Sequence, residues 1–144
     1  MNKEVLDRIC KNYGILAAYT FGSMAEEGST CLKGNKSIKI KDPISDIDLG
    51  VVFLEKPLSP KERIKIYGSL YSELCEIFSP FTLDLIFLQE TGVILQFAAI
   101  NGLVVYSYNE DMRLEYEEMV IKLYQDWKPD YDQYTKEVLE AISG

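Results

Sequence analysis

The chain has 144 residues, of which 47% are hydrophobic and 26% are charged, a balance typical of a globular protein rather than a disordered or fibrous one. Its formal net charge of −8 argues against stable binding of nucleic acid, because such binding depends on lysines and arginines that displace phosphate counterions. No apolar run approaches the roughly 18 residues that a membrane span needs, and the start of the chain lacks the apolar core of a signal peptide. We therefore expect a single cytoplasmic domain, residues 1–144, that is not in a membrane.

Short apolar runs bounded by turn residues predict four β-strands. They lie at residues 15–21, 46–54, 81–88 and 103–107. The first run is almost continuously apolar, as expected for a buried strand, and it leads directly into Gly22 and Ser23. We expect the strands to form one small mixed sheet.

Apolar residues at helical spacing predict helices between and after these strands. They cover residues 2–14, a turn at 24–28, residues 59–78, residues 91–102, and a C-terminal region from about residue 110. Pro129 is expected to end the first C-terminal helix, after which a second one should follow. The order of elements indicates an α/β or α+β domain, with a sheet of about four strands flanked by helices.

Asp46 and Asp48 open the second strand, in the stretch SDIDLGVVF. Side chains alternate between the two faces of a strand, so both carboxylates point the same way. Neighbouring carboxylates repel each other unless a cation or strong hydrogen-bond donors hold them ionised. Mg²⁺ prefers such oxygen ligands, and it commonly completes its shell with substrate phosphates. The pair therefore predicts a metal site.

Two further features are predicted to lie at the same edge of the sheet. Gly22 and Ser23 sit where the first strand passes into a helical turn, a place where free backbone N–H groups can hold phosphates. Asp84 interrupts an apolar strand, where a carboxylate is costly to bury without a partner. Together with Asp46 and Asp48, these residues suit two-metal nucleotidyl transfer. The alternative is that Asp46 enters its strand at the solvent and Asp84 pairs with a lysine.

A lysine-rich segment separates the glycine-serine pair from the paired aspartates. Residues 29–42 carry four lysines and one aspartate, a net charge of +3 in an otherwise acidic chain. We expect residues 29–44 to form a loop insertion. Its lysines either form a solvated surface, the usual role of a charge run, or contact phosphates.

In combination, the stretches FGSMAEEGS, SDIDLGVVF, LDLIFL and ILQFAAINGLVVYS resemble the minimal nucleotidyltransferases of the DNA polymerase beta superfamily. The resemblance implies the nucleotidyltransferase fold, Mg²⁺ or Mn²⁺, and transfer of AMP from ATP to a hydroxyl group. It implies that Gly22 and Ser23 hold the phosphates of the nucleotide. It also implies that Asp46, Asp48 and Asp84 are catalytic metal ligands, and that Asp84 helps to deprotonate the acceptor.

Many members of this group are antitoxins encoded beside a HEPN-type ribonuclease toxin, and some attach AMP to tyrosines of that toxin. The resemblance covers about residues 3–127, nearly the whole chain. What is known of the group implies a HEPN-type toxin as partner. Two alternatives stay open: a small-molecule adenylyltransferase of the kind that modifies antibiotics, and a catalytically silent antitoxin that only masks its partner. A small-molecule acceptor would call for a homo-oligomer with a pocket between its subunits.

The sequence departs from the family pattern just after the glycine and serine. Family members read Gly-Ser-x-Ala-Arg-Gly, whereas here Ala25 is followed by Glu26 and Glu27. An arginine that would contact phosphates is thus replaced by acid. The lysine-rich segment follows in the same stretch, and its point charges are candidates to replace that arginine.

Overall fold

The structure is a computed structural model that describes residues 2–33 and 46–143. Its strands are β1 (Ile15–Phe21), β2 (Asp46–Phe53), β3 (Thr82–Phe87) and β4 (Leu103–Ser107). Its α-helices are α1 (Asn2–Asn12), α2 (Ala25–Leu32), α3 (Pro60–Cys75), α4 (Val93–Ile100) and α5 (Glu110–Ser143). Short 3₁₀ turns, Gly22–Met24 and Leu88–Glu90, follow β1 and β3. The four predicted strands and the predicted fold class are confirmed.

The strands form one mixed sheet in the order β3-β2-β1-β4. β1 is antiparallel to both β2 and β4, whereas β2 and β3 are parallel. Because of these directions, the end of β1 and the starts of β2 and β3 lie at the same edge of the sheet. This edge carries the Gly22-Ser23 turn and the aspartates singled out from the sequence.

The two faces of the sheet are covered by different helices. On one face, α1 and α3 pack over the sheet, with Leu49 and Leu70 fully buried in the core cluster. On the other face, α4 and α5 cover Tyr19 and Val52. Asp48 shares this second face with Val52, because residues an even number apart on a strand point the same way. The aspartates therefore lie beyond the end of the core that α4 and α5 form.

A polar network attaches α5 to the sheet. Tyr19, which is fully buried on β1, donates a hydrogen bond of 2.8 Å to Glu117. Glu117 also accepts a hydrogen bond of 2.6 Å from Arg113, which in turn donates to Ser107 at the end of β4. Burial, followed by the hydrogen bond to Glu117, raises the pKa of Tyr19. The hydroxyl therefore stays protonated and fixes α5 over β1.

The predicted lysine-rich loop does not begin at residue 29. Residues 29–32 form the last turn of α2, which corrects the start of the predicted loop at 29–44, and residues 34–45 lie outside the described residues. The sequence predicts only a turn here because Gly28 and the serine and threonine after it are weak helix formers. Gly28 instead serves packing: a Cβ would lie 2.8 Å from Thr20 Cγ2 and 3.0 Å from Ile47 Cγ2. Glycine lets α2 lie directly on β1 and β2.

The predicted pair of C-terminal helices is one helix, α5, of 34 residues, with Pro129 in its interior. A proline was expected to end the helix because it lacks a backbone N–H and crowds the preceding turn. Trp127 and Tyr131 span the proline, and their stacked rings have centroids 4.7 Å apart. Residues four apart are neighbours on a helix surface, so this stack holds the two turns together. Neither α5 nor any other helix in the described residues combines the length and apolar character of a membrane span.

Candidate active site

The register of the sheet brings the predicted site residues to one edge. Asp48 on β2 lies opposite Phe21, the last residue of β1, and also opposite Asp84 on β3. Neighbouring strands are about 4.8 Å apart, so the turn at Gly22, Asp48 and Asp84 form a continuous row. Asp46 lies two residues earlier on β2 and is exposed. The carboxylates and the glycine turn are thus neighbours although up to 62 positions separate them in the chain.

Gly22 makes the tight turn that lets the end of β1 approach Asp48. Its φ of +76° lies in the left-handed region, where residues with a side chain are strained. A Cβ at this position would lie 2.7 Å from Oδ2 of Asp48, so only glycine leaves room for that carboxylate. Ser23 follows in the 3₁₀ turn and is exposed. The turn is therefore open to a ligand and directly beside a carboxylate.

Asp48 and Asp84 form a coupled pair of carboxyl groups. Partial burial, the charge of Asp84 and a hydrogen bond to the Asp84 carboxyl raise the pKa of Asp48 to about 6, and the charge of Asp46 adds to the shift. A hydrogen bond between two carboxyl groups needs a proton, so without a cation the pair shares one below about pH 6 and repels above it. A divalent cation removes this need because it compensates both negative charges. The donor set therefore fits a hard metal ion.

The three aspartates contribute unequally to such a site. Within residues 2–33 and 46–143, no three aspartate, glutamate, cysteine or histidine side chains are arranged around a common metal position. Asp48 and Asp84 face each other, whereas Asp46 influences Asp48 through its charge. Mg²⁺ usually takes one or two protein carboxylates and fills its shell with water and phosphate oxygens. The geometry therefore favours the pair of Asp48 and Asp84 as the main seat, with Asp46 beside it.

A cavity of about 410 Å³ adjoins the glycine-serine turn. It is lined by residues from the turn, from the start of α2 and from the junction of α4 and β4: Gly22, Ser23, Ala25, Glu26, Glu27, Ala98, Asn101, Gly102 and Leu103. Gly22 thus touches Asp48 on one side and borders the cavity on the other. The cavity therefore opens beside the carboxylate pair.

Sequence reasoning missed the part that the α4–β4 junction plays in this cavity. Asn101 and Gly102 were predicted only as the end of α4. In the structure, a Cβ on Gly102 would lie 2.3 Å from the carbonyl oxygen of Thr20, so glycine is needed for β4 to pack beside β1. Asn101 donates a hydrogen bond of 2.8 Å to the Phe97 carbonyl. The Asn-Gly pair is the signal in the sequence, but it is common to turns of every kind.

In the described part of the chain, the charged residues that line the cavity are Glu26 and Glu27. Glu26 is exposed and Glu27 is half-buried, and both lie in the first turn of α2, where the helix dipole stabilises carboxylates. Lys33 lies at the other end of α2, about 10 Å away at 1.5 Å per residue. The other three lysines of the segment, Lys36, Lys39 and Lys41, lie outside the described residues. A nucleotide triphosphate at the turn therefore needs cations to offset both its own charge and the glutamates.

A glycine turn and a carboxylate pair at one edge of a mixed sheet define a nucleotidyltransferase-like protein. The chain belongs to the family described as Polymerase beta, Nucleotidyltransferase, whose model matches residues 4–111. Among curated proteins, none matches. The family assignment therefore rests on the family model, which matches about three quarters of the chain.

Solved structures with the same fold come from toxin–antitoxin complexes. One is a variant of the MntA-HpeT toxin–antitoxin with two aspartate-to-glutamate substitutions. Its TM-score is 0.63 at 18% identity, and the comparison covers 96% of this chain and 99% of that chain. A toxin–antitoxin with AMP-PNP has a TM-score of 0.62, at 18% identity and coverage of 96% and 99%. The tri-AMPylated HEPN toxin of Shewanella oneidensis in complex with its MNT antitoxin gives 0.60, at 18% identity and coverage of 96% and 96%. At this identity the likeness establishes the fold.

Proposed function

We propose that this chain is a metal-dependent nucleotidyltransferase that transfers AMP from ATP to a hydroxyl group of a partner protein, and that the partner is a HEPN-type toxin. The observation that carries the proposal is the contact between the Gly22 turn and the coupled carboxylates of Asp48 and Asp84. The family supports the reaction class. Structures of the same fold with AMP-PNP and with an AMPylated HEPN toxin support the nucleotide and the partner. Such a reaction belongs in the cytoplasm, where ATP and Mg²⁺ are available.

In this proposal each residue at the sheet edge has a defined role. The backbone of Gly22 and the hydroxyl of Ser23 hold the phosphates, while Asp48, Asp84 and Asp46 hold Mg²⁺ or Mn²⁺. The bound cation supplies charge compensation for the triphosphate and for the departing pyrophosphate. Asp84 lies on β3, the outermost strand of the sheet, and takes the proton of the acceptor hydroxyl.

The bonds in this transfer balance without any further reactant. The acceptor oxygen loses its proton to Asp84 and forms a bond to the α-phosphorus of ATP. The bond between that phosphorus and the bridging oxygen of the β-phosphate breaks, and pyrophosphate leaves. The products are an AMP ester of the acceptor and pyrophosphate.

One observation favours a second candidate, a catalytically silent antitoxin. Glu26 and Glu27 border the cavity where the family pattern has an arginine. Without compensating lysines, their charges oppose triphosphate binding. A protein of this kind would neutralise its partner by covering it, with no covalent change.

Transfer can be tested with ATP labelled at the α-phosphate and the product of the neighbouring gene, which we expect to be a HEPN-type protein. We expect label on the partner in the presence of Mg²⁺, and at least a hundredfold slower labelling with Asp84→Asn, the scale of a lost general base. Asp111→Asn, at an exposed aspartate in the first turn of α5, is the matched control and should label at the wild-type rate. A complex that forms without any label would favour the silent antitoxin. Absence of a HEPN-type gene beside this one would contradict the proposed partner.

A further inference from the structure

Helix α5 continues well past the residues that attach it to the sheet. Its buried residues are Tyr116 and Val120, and from Lys128 to Ser143 every residue is exposed except the half-buried Thr135. We call residues 128–143 the α5 tail; it is about 24 Å long at 1.5 Å per residue. Its exposed large apolar side chains are Tyr131, Tyr134, Val138, Leu139 and Ile142. An unsupported helix of this length is only marginally stable in water, so its apolar face needs a partner.

The apolar residues of the tail continue the spacing by which α5 packs on α4. Tyr124 stacks on Phe97 of α4 with ring centroids 3.8 Å apart, and the Trp127 ring follows 5.8 Å from Tyr124. From Tyr124 onward, apolar residues recur at alternating intervals of three and four. They are Tyr124, Trp127, Tyr131, Tyr134, Val138 and Ala141. This is the spacing of a helix that packs along a second helix.

An apolar cavity of about 380 Å³ lies at the start of α4, beside the beginning of this row of apolar residues. It is lined by Gly92, Val93, Ile94, Leu95, Ala98 and Trp127. Ile94 is 57% exposed, so the cavity opens onto a surface where an apolar side chain could anchor. Ala98 also lines the cavity beside the glycine-serine turn. The apolar surface is therefore continuous with the candidate active site.

We propose that the start of α4 and the α5 tail form the docking surface for the acceptor protein, which binds through an amphipathic helix with an apolar stripe and basic flanks. This inference rests on the proposed function, because it names the surface that brings the acceptor to the same site. Docking here places the partner across Ala98, next to the cavity at Gly22 and Ser23.

The net charge of the α5 tail indicates which kind of molecule binds this surface. It carries four acidic residues and two lysines, a net charge of −2, in a chain whose net charge is −8. If a second copy of the chain bound here, the negative charges of the two tails would lie close together and repel each other. A helix with lysines or arginines beside its apolar stripe is attracted instead, and this charge complementarity favours the partner over self-association.

Trp127 is the single tryptophan of the chain and lines the proposed surface, so it reports on docking directly. The chain is labelled with 5-fluorotryptophan, and the unlabelled HEPN-type protein encoded beside it is added. We expect the single ¹⁹F signal to shift on binding. In the double variant Tyr134→Asp/Val138→Asp, binding should weaken at least tenfold while affinity for Mg²⁺-ATP stays unchanged. Ile64→Asp is the matched control, because Ile64 is 66% exposed on α3, over the other face of the sheet.

The outcomes separate the surface from the chemistry. Wild-type partner affinity in the double variant, or an unshifted ¹⁹F signal at saturation, would overturn the docking proposal. So would a wild-type dimer that the double variant converts to monomer with no loss of partner binding, since the occupant would then be a second copy. A shifted signal without transfer of AMP would leave the docking surface standing and remove the proposed catalytic function.

Discussion

Asp48 is held where partial burial and the neighbouring Asp84 disfavour its negative charge. Its pKa of about 6, against about 3.9 for an ordinary aspartate, means that the folded protein binds this proton more tightly than the unfolded chain does. Ionisation of Asp48 therefore does not change the free energy of unfolding below about pH 4. As the pH rises from about 4 through 6, it lowers that free energy. Because the Asp48 carboxyl is half-exposed, solvent screening limits this loss in the free energy of unfolding to about 1 kcal/mol. Asp48→Asn should thus raise Tm by about 3 °C at pH 8 and leave it unchanged at pH 4.

Thermal unfolding in EDTA across pH 4–8 measures this difference. Asp132→Asn on the exposed α5 tail is the control and should follow the wild type at every pH. Added Mg²⁺ should stabilise the wild type and not Asp48→Asn, because only the wild type retains the pair that binds it. Identical melting curves for wild type and Asp48→Asn at pH 8 would show that the two carboxyl groups do not repel each other.

Gly22 gives a second prediction at the scale of one residue. Gly22→Ala combines a positive φ of +76° with a Cβ that lies 2.7 Å from the Asp48 carboxylate. We expect a loss of about 1–3 kcal/mol in the free energy of unfolding, measured by urea denaturation. Transfer of AMP should fall further than stability alone explains, because the Asp48 carboxylate must leave its position between Gly22 and Asp84.

Gly68→Ala is the matched control for that substitution. Gly68 lies in the exposed interior of α3, and a Cβ there would meet no atom within 4 Å. Alanine should therefore raise the free energy of unfolding by about 0.5–1 kcal/mol through helix propensity. If Gly22→Ala behaved like Gly68→Ala, the turn would have no steric role at the carboxylate pair.

Individual elements differ in how far their sequence predicts them. The strands were predictable because each is a short apolar run. The site was predictable because Gly22, Asp48 and Asp84 are a turn glycine and carboxylates in or beside such runs. The full length of α2 was not, because Gly28 serves a contact with Thr20 that only the folded sheet creates. The continuity of α5 through Pro129 depends on a ring stack that local propensity does not include.

The attachment of α5 to the sheet makes a prediction at the scale of the element. Glu117→Gln should lower the free energy of unfolding by about 1–3 kcal/mol, because Tyr19 and Arg113 both lose a charged partner in a partly buried place. Glu118→Gln, at the exposed neighbouring position, should have no effect. Adding Tyr19→Phe to Glu117→Gln should cost less than Tyr19→Phe does in the wild type. Additive losses would show that the network does not act as a unit.

At the scale of the whole molecule, the buried core and the α5 tail occupy different parts of the chain. The core clusters, the glycine turn and the carboxylate pair all lie before Lys128, whereas the α5 tail buries no side chain. The sequence alone did not indicate this division, because the aromatic residues of α5 look alike on either side of Pro129. Which of them are covered depends on where the sheet and α4 end.

This division predicts that the chain without residues 129–144 remains folded. Because the deletion removes no buried side chain, Tm should change by about 1 °C or less, and Mg²⁺-ATP affinity should stay at the wild-type value. The circular dichroism signal at 222 nm should fall, since the deleted residues are helical, and Trp127 emission should shift because its ring loses Tyr131. Deletion from residue 117 is the contrasting variant, because it also removes Glu117 and Val120 and should unfold the domain. A large loss of Tm on removing 129–144 alone would mean that the tail belongs to the core and is not free to receive a partner.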